Sequence, residues 1–175
     1  SALSAYPSIP GYVILAQLHA NERTVVYRAV EMGLASKEQK EQSRENRTVI
    51  IKLLCKTTIG FEELSQFRNQ AAITRRLNIP GVAQIYHLGE HQQQPMIGME
   101  DFGGISLDRY IQHEISLETS SEQPPAAQLH LGLQPFLSIA VQVADILAAV
   151  HHKNVIHKDI KPHNILIHPP SGRIQ

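Results

Sequence analysis

The segment HKDIKPHN, residues 157–164, gathers a carboxylate (Asp159), an ammonium (Lys161) and a carboxamide (Asn164) in one short stretch. A positioned carboxylate can take the proton of an attacking hydroxyl. An ammonium can stabilise negative charge that develops during reaction. A carboxamide oxygen is a ligand for a hard cation. The alternative is an incidental polar loop between a long apolar segment and the apolar run ILI. A second charged residue stands out upstream. Lys52 lies inside the apolar run TVIIKLLC, 48–55. A buried ammonium is costly unless it is paired, and a lysine on an edge strand can instead snorkel to water. Taken alone, Lys52 fits both readings.

The elements around these residues follow from periodicity and breakers. YVILAQL (12–18) and TVVYRAV (24–30) are β-branched runs on either side of HANER, which predicts a hairpin. The run 34–47 has charges of both signs and no apolar period, so it is a solvated insert. TVIIKLLC predicts a third strand. FEELSQFRNQAAITRRLN (61–78) predicts a helix, with Glu62 and Glu63 in its first turn, Arg75 and Arg76 in its last, and Asn78-Ile79-Pro80-Gly81 as its stop. Strands are expected at 82–90 and 94–100, and a short helix at 106–114. Residues 117–128 form a loop on composition. Residues 135–154 predict a helix buried on most sides, with Pro135 at its first position, Ser138, Gln142, Asp145 and His152 on a narrow polar stripe, and Asn154 as its stop. VIH and ILIH bracket the polar loop.

Composition narrows the class. The chain has 175 residues, 42% of them hydrophobic, enough for one domain with a real core. Sixteen basic residues balance sixteen acidic ones, which argues against a broad nucleic-acid footprint. The single cysteine, Cys55, excludes a disulfide framework within the chain and points to a reducing compartment. It reads as a small structural residue. The first fifteen residues lack a signal peptide pattern. The longest apolar stretch, Phe136–Val150, is short for a bilayer span. A soluble cytoplasmic protein without membrane insertion is expected. The histidines near the C-terminal end lack the spacing of a metal site.

HKDIKPHN resembles the catalytic loop of the protein kinases, His-Arg-Asp-Leu-Lys-Pro-x-Asn, with Lys158 in place of the arginine. The resemblance covers about residues 11–175 and is that of a eukaryotic-type serine/threonine kinase. It implies an α+β fold: a five-stranded antiparallel small lobe with one helix (11–100), a hinge (100–105), and the start of a helical large lobe (106–175), after an N-terminal extension (1–10). It implies ATP and Mg2+ as cofactors and a protein substrate. Asp159 would be the catalytic base, Lys161 would support the transferring phosphoryl group, and Asn164 would bind the metal. Lys52 would hold the α- and β-phosphates, with Val26 beside it. Met99 would be the gatekeeper, the Glu100 carbonyl and Phe102 amide would face adenine, and Ser106 would lie near ribose. On this reading Asp101-Phe102-Gly103 is hinge, not the magnesium-binding Asp-Phe-Gly of the family. That segment is expected a few residues past Gln175, so the chain reads as a truncated domain, inactive and poorly soluble alone.

Several positions depart from the family pattern. The three glycine positions of the phosphate loop hold His19, Asn21 and Thr24, which implies a looser phosphate clamp, with Asn21 tolerating a left-handed backbone. Gln70 stands where a glutamate pairs with the strand lysine, and Ile50 where a small alanine flanks adenine. These departures keep open a pseudokinase that binds nucleotide or a partner without transferring phosphate. The match of HKDIKPHNIL with PGV and MEDFGGISL is also similar to the kinase domain that opens large bacterial signalling proteins. There, ATPase-like, GAF and sensor histidine kinase modules follow.

Overall fold

The alternation of the strand Arg47–Leu54 organises the first half of the chain. Val49, Ile51 and Leu53 are buried, while Ile50 and Lys52 between them are only partly covered. A strand sends successive side chains to opposite faces, so burying the odd-numbered row turns the even-numbered row outward. In the computed structural model, which describes residues 6–32, 47–55, 60–118, 132–156 and 160–175, two compact units divide the chain. The first takes residues up to Arg76 together with Gln84–Asp101, and the second takes Leu77–Ala83 and Phe102–Gln175.

The first unit is a five-stranded antiparallel sheet in the order β1-β2-β3-β5-β4. The strands are β1 (Tyr12–Ala20), β2 (Thr24–Glu31), β3 (Arg47–Leu54), β4 (Ile85–His91) and β5 (Gln94–Glu100), with α1 (Phe61–Leu77) between β3 and β4. One face is closed by Tyr27, Ala29, Val49, Ile51, Leu53 and Met96 around Ile9. Ile9 is 3% exposed and Tyr6 meets the Tyr27 ring edge-on, so residues ahead of position 11 belong to this core. On the opposite face α1 lays Phe67 and Ala71 against Ile85, Leu88, Ile97 and Met99. The expected strand at 82–90 starts later, at Ile85. Ile79-Pro80-Gly81-Val82 occupies the chain before it as a turn, closed by the Val82 N–H to the Ile79 carbonyl at 3.0 Å with Gly81 at φ +85°.

Two contacts fix the end of β5. The Glu100 N–H donates to the Gln84 carbonyl at 2.8 Å, and its carboxylate accepts from the Gln84 N–H at 3.3 Å. The next residue, Asp101, takes a fork from Arg28 on β2: Nε to Oδ2 at 2.7 Å and Nη2 to Oδ1 at 3.2 Å. The Asp101 side chain is only 9% exposed, so the pair is weakly screened by salt.

The second unit holds β6 (Ile105–Ser106), α2 (Leu107–Glu118), α3 (Leu133–His152), a 3-10 turn (Pro162–Asn164), β7 (Leu166–His168) and β8 (Arg173–Ile174). β6, β7 and β8 form a three-stranded sheet, with a core of Leu107, Ile139, Ile167 and Ile174. β6 and β8 span two residues each, too short to leave a periodic signal. α3 begins two residues before Pro135, so the proline sits in the first turn, not at its opening position. It does no harm there, because first-turn N–H groups have no helical acceptor. α3 ends at His152, and the expected stop, Asn154, lies just beyond its cap at φ +58°, with bonds from Val155 N–H to Val150 and from Asn154 N–H to His151.

α3 departs from expectation in two ways. Leu133, Phe136, Leu137 and Val141 are each at least half exposed, so most of the helix is not buried. The polar residue expected outside is partly inside: the Gln142 Nε2 donates to the Gly172 carbonyl at 2.9 Å, and its Oε1 accepts from the Ile174 N–H at 3.2 Å. The helix also runs longer than the apolar stretch read from the sequence. At 20 residues it is long and apolar enough, by length and composition, to cross a membrane. Ile139 and Val150 are its buried residues. The loop expected at 117–128 gives its first two residues to α2, which runs on to Glu118, and the insert expected at 34–47 gives Arg47 to β3; residues 34–46, 119–128 and 157–159 lie outside the described residues.

Two predictions follow from these contacts. Arg28→Met leaves the Asp101 carboxylate without its fork and should cost about 2 kcal/mol in a urea titration, since a lost charged hydrogen bond leaves a desolvated partner behind. Gly81→Ala should cost a similar ~2 kcal/mol, because a Cβ there falls 2.4 Å from the Ile146 Cδ1 at a backbone angle L-residues disfavour.

Candidate active site

The first unit brings together three of the expected residues through strand register. Val26 pairs with Lys52, and Lys52 with Ile97; Arg28 pairs with Ile50, and Ile50 with Met99. Cross-strand partners share a face. Val26, Lys52 and Met99 therefore lie on one side of the sheet, with Arg28 and Ile50 in the same rows. Glu100 pairs with Val49 and belongs to the other face by its side chain. Its backbone is held by Gln84, as described above.

Lys52 is half-buried. Its Nζ lies 6.0 Å from the centroid of the Phe67 ring, at the outer edge of a cation–π contact. Phe67 precedes Gln70 by nearly one turn of α1, and Gln70 is exposed. The Phe67 ring is thus a neighbour of the lysine on α1. Ile50 keeps part of its surface open beside Met99, consistent with a bulky residue lining that face. The turn joining β1 to β2 is described with His19, Asn21 and Thr24 in place, and Asn21 is not among the residues at positive φ. Its contribution comes through its side chain, not through a left-handed backbone.

The second unit holds the remaining expected residues. Lys161 is extended, as a residue before proline prefers. Pro162 opens a 3-10 turn closed by the Asn164 N–H to the Lys161 carbonyl at 2.9 Å and the Ile165 N–H to the Pro162 carbonyl at 3.3 Å. Lys161 and Asn164 are both exposed. Asp159 lies outside the described residues. Ser106 pairs with Leu166, and the Leu107 N–H donates to the Ile165 carbonyl at 2.8 Å. Those bonds tie the start of α2 to the end of the polar loop.

Such a close pairing needs Gly104, where a Cβ would stand 2.7 Å from the Ile167 carbonyl oxygen. Gly103, at φ +71°, turns the chain into β6. The Phe102 ring is held by β7 and β8: it meets the His168 ring edge-on at 6.2 Å, and the Arg173 guanidinium lies 5.6 Å above it. The Ser106 side chain foremost, and also the His163 ring, hold the Asp108 carboxyl below its ordinary value, against the opposing effect of burial.

Sequence reasoning passed over Arg28, Phe67 and Gln84. Arg28 carried a usable signal, since a charge two residues from Val26 in a β-branched strand shares its face and needs a partner. Gln84 had none, because it acts mainly through its backbone.

The comparisons with known proteins run along both units. The family described as protein tyrosine and serine/threonine kinase matches residues 14–173. The serine/threonine-protein kinase PrkC of Bacillus subtilis is 32% identical over 136 residues, covering 77% of this chain and 19% of PrkC. PknL of Mycobacterium tuberculosis, also a serine/threonine-protein kinase, is 27% identical over 157 residues, covering 89% of this chain and 33% of PknL. The chain therefore spans between a fifth and a third of these relatives' length. Among solved structures, the kinase domain of Mycobacterium tuberculosis PknI aligns with a TM-score of 0.65 at 19% identity, over 99% of this chain and 61% of that one. That likeness concerns the fold alone. The family match runs from within β1 to the start of β8, taking in Val26, Lys52, Lys161 and Asn164, and it makes this chain a member of the protein tyrosine and serine/threonine kinase family.

Proposed function

We propose that the protein transfers the γ-phosphoryl group of ATP to a serine or threonine hydroxyl of a protein substrate, in a cytoplasmic signalling role. The observation that carries this reading is the placement of Lys52. It is a charged residue in the middle of an apolar strand, set by register on the face shared with Val26 and Met99. That is where phosphates and adenine would need a cation and apolar cover. The relatives' names support serine and threonine as acceptors.

In the proposed reaction the substrate hydroxyl oxygen forms a bond to the γ-phosphorus. The bond from that phosphorus to the β–γ bridging oxygen breaks, and ADP leaves. Asp159 takes the hydroxyl proton, Lys161 offsets charge on the transferring group, and Lys52 holds the α- and β-phosphates. The Glu100 carbonyl and Phe102 amide hold the adenine edge under Met99, and Ser106 lies toward the ribose. Asn164 fits a magnesium ion: its carboxamide is a hard oxygen donor on a closed, exposed turn. Among the described residues no group of three or more His, Cys, Asp or Glu gathers as a metal site. Magnesium commonly takes only one or two protein oxygens and shares the rest with phosphates and water. When bound, it neutralises charge on the phosphate oxygens. The division into small lobe, hinge and partial large lobe, and further domains in the whole protein, belong to the same proposal.

The test is phosphoryl transfer by the full-length protein. Asp159→Ala should lower transfer from ATP by roughly a hundredfold or more while leaving magnesium-ATP binding in place. Lys52→Met should weaken ATP binding about tenfold or more, the cost of one charged hydrogen bond. ATP binding by the wild type with no transfer to any protein acceptor would overturn the catalytic reading in favour of a nucleotide-binding module.

A further inference from the structure

The Asn21 side chain closes the turn between β1 and β2. The Asn21 N–H donates to the Thr24 carbonyl at 2.9 Å. The Asn21 Oδ1 accepts from two backbone amides, Arg23 at 2.9 Å and Thr24 at 2.8 Å. Its Nδ2 lies 3.0 Å from the His19 Nε2, which steadies the carboxamide plane. The Arg23 carbonyl accepts from the Cys55 N–H at 2.8 Å, so the turn is pinned to the end of β3.

Consecutive backbone N–H groups converging on one point make a concavity suited to an anion. Here the oxygen at that point is neutral and belongs to the chain. The turn stands at the end of the strand pair that carries Val26 and Lys52 in register. An ATP molecule whose phosphates reach Lys52 therefore has these amides close to hand.

We propose that Asn21 is a built-in competitor for nucleotide phosphate: its carboxamide oxygen occupies the two amides that a phosphate oxygen takes when ATP binds. The proposal rests on the ATP reading above. An anionic oxygen bonds an N–H roughly twice as strongly as a neutral one, so phosphate displaces the carboxamide. It does so against a turn that is already satisfied, and the affinity falls by what the turn gives up. The effect is confined to the phosphate end of the nucleotide. Met99 and Glu100 lie on β5, separated from β2 by the whole of β3.

Equilibrium binding of magnesium-ATP and of adenosine to the full-length protein tests this, with wild type, Asn21→Ala and Asn21→Gly side by side. Both variants lack the oxygen, so both should bind ATP roughly three- to tenfold more tightly with adenosine affinity unchanged. Weaker or unchanged ATP binding overturns the proposal, because Asn21 is then a phosphate ligand or a bystander. Parallel shifts for ATP and adenosine, or opposite shifts in the two variants, overturn it as well, since they mark a turn that shapes the whole site. A wild type that binds neither ligand removes the ATP reading itself, and this proposal with it.

Discussion

Everything in the first unit depends on which way β3 faces. Val49 and Ile51 are almost wholly buried, each contributing on the order of 2 kcal/mol by leaving water. A one-residue slip would send both to the other face and bring Lys52 into the apolar layer, where an unpaired ammonium is prohibitive. The register with β2 and β5 carries this choice across the sheet, so that Tyr27, Ile51 and Gly98 fall in one row and Val26, Lys52 and Ile97 in the next. The face that carries Lys52 is thus a by-product of the apolar one. No residue has to specify Lys52 directly, because its neighbours leave it one direction.

The second unit is governed by backbone polar groups more than by apolar pattern. Its sheet is made of two- and three-residue strands, and its core is four buried residues with partly buried neighbours. Gln142 compensates by serving the final hairpin from the helix, giving one bond and taking another. The pairing of β6 with β7 draws Ser106 toward the loop that carries Lys161 and Asn164. It is possible only because position 104 has no side chain.

What was legible in the residues divides along the same line. Long elements with clear periods, β1 to β3, α1 and β5, were readable to within a residue or two, because burial on one face imposes a period. The helix stop at Asn154 was readable because its left-handed backbone suits asparagine. The segment HKDIKPHN stood out as a motif, but the 3-10 turn at Pro162–Asn164 is one that no period announces. The Arg28–Asp101 fork was not readable: its partners lie 73 positions apart, and only the sheet order brings them together. The exposure of α3 was missed for a related reason. Apolar composition says that a face can be covered and leaves open which residues cover it.

The strand order has a consequence for the nascent chain. β5 is synthesised last of the five strands yet sits inside the sheet, between β3 and β4. A β1-β2-β3 meander can therefore close early, but its β3 edge stays open until Gln94–Glu100 has left the ribosome. An apolar strand with a bare edge is the kind of surface that recruits other chains. During that interval the charge of Lys52, midway along VIIKLL, interrupts the one run most able to stack on a neighbour, as gatekeeper charges do. The residue proposed for phosphate in the finished fold is thus also the charge that breaks this apolar run while the fold is unfinished.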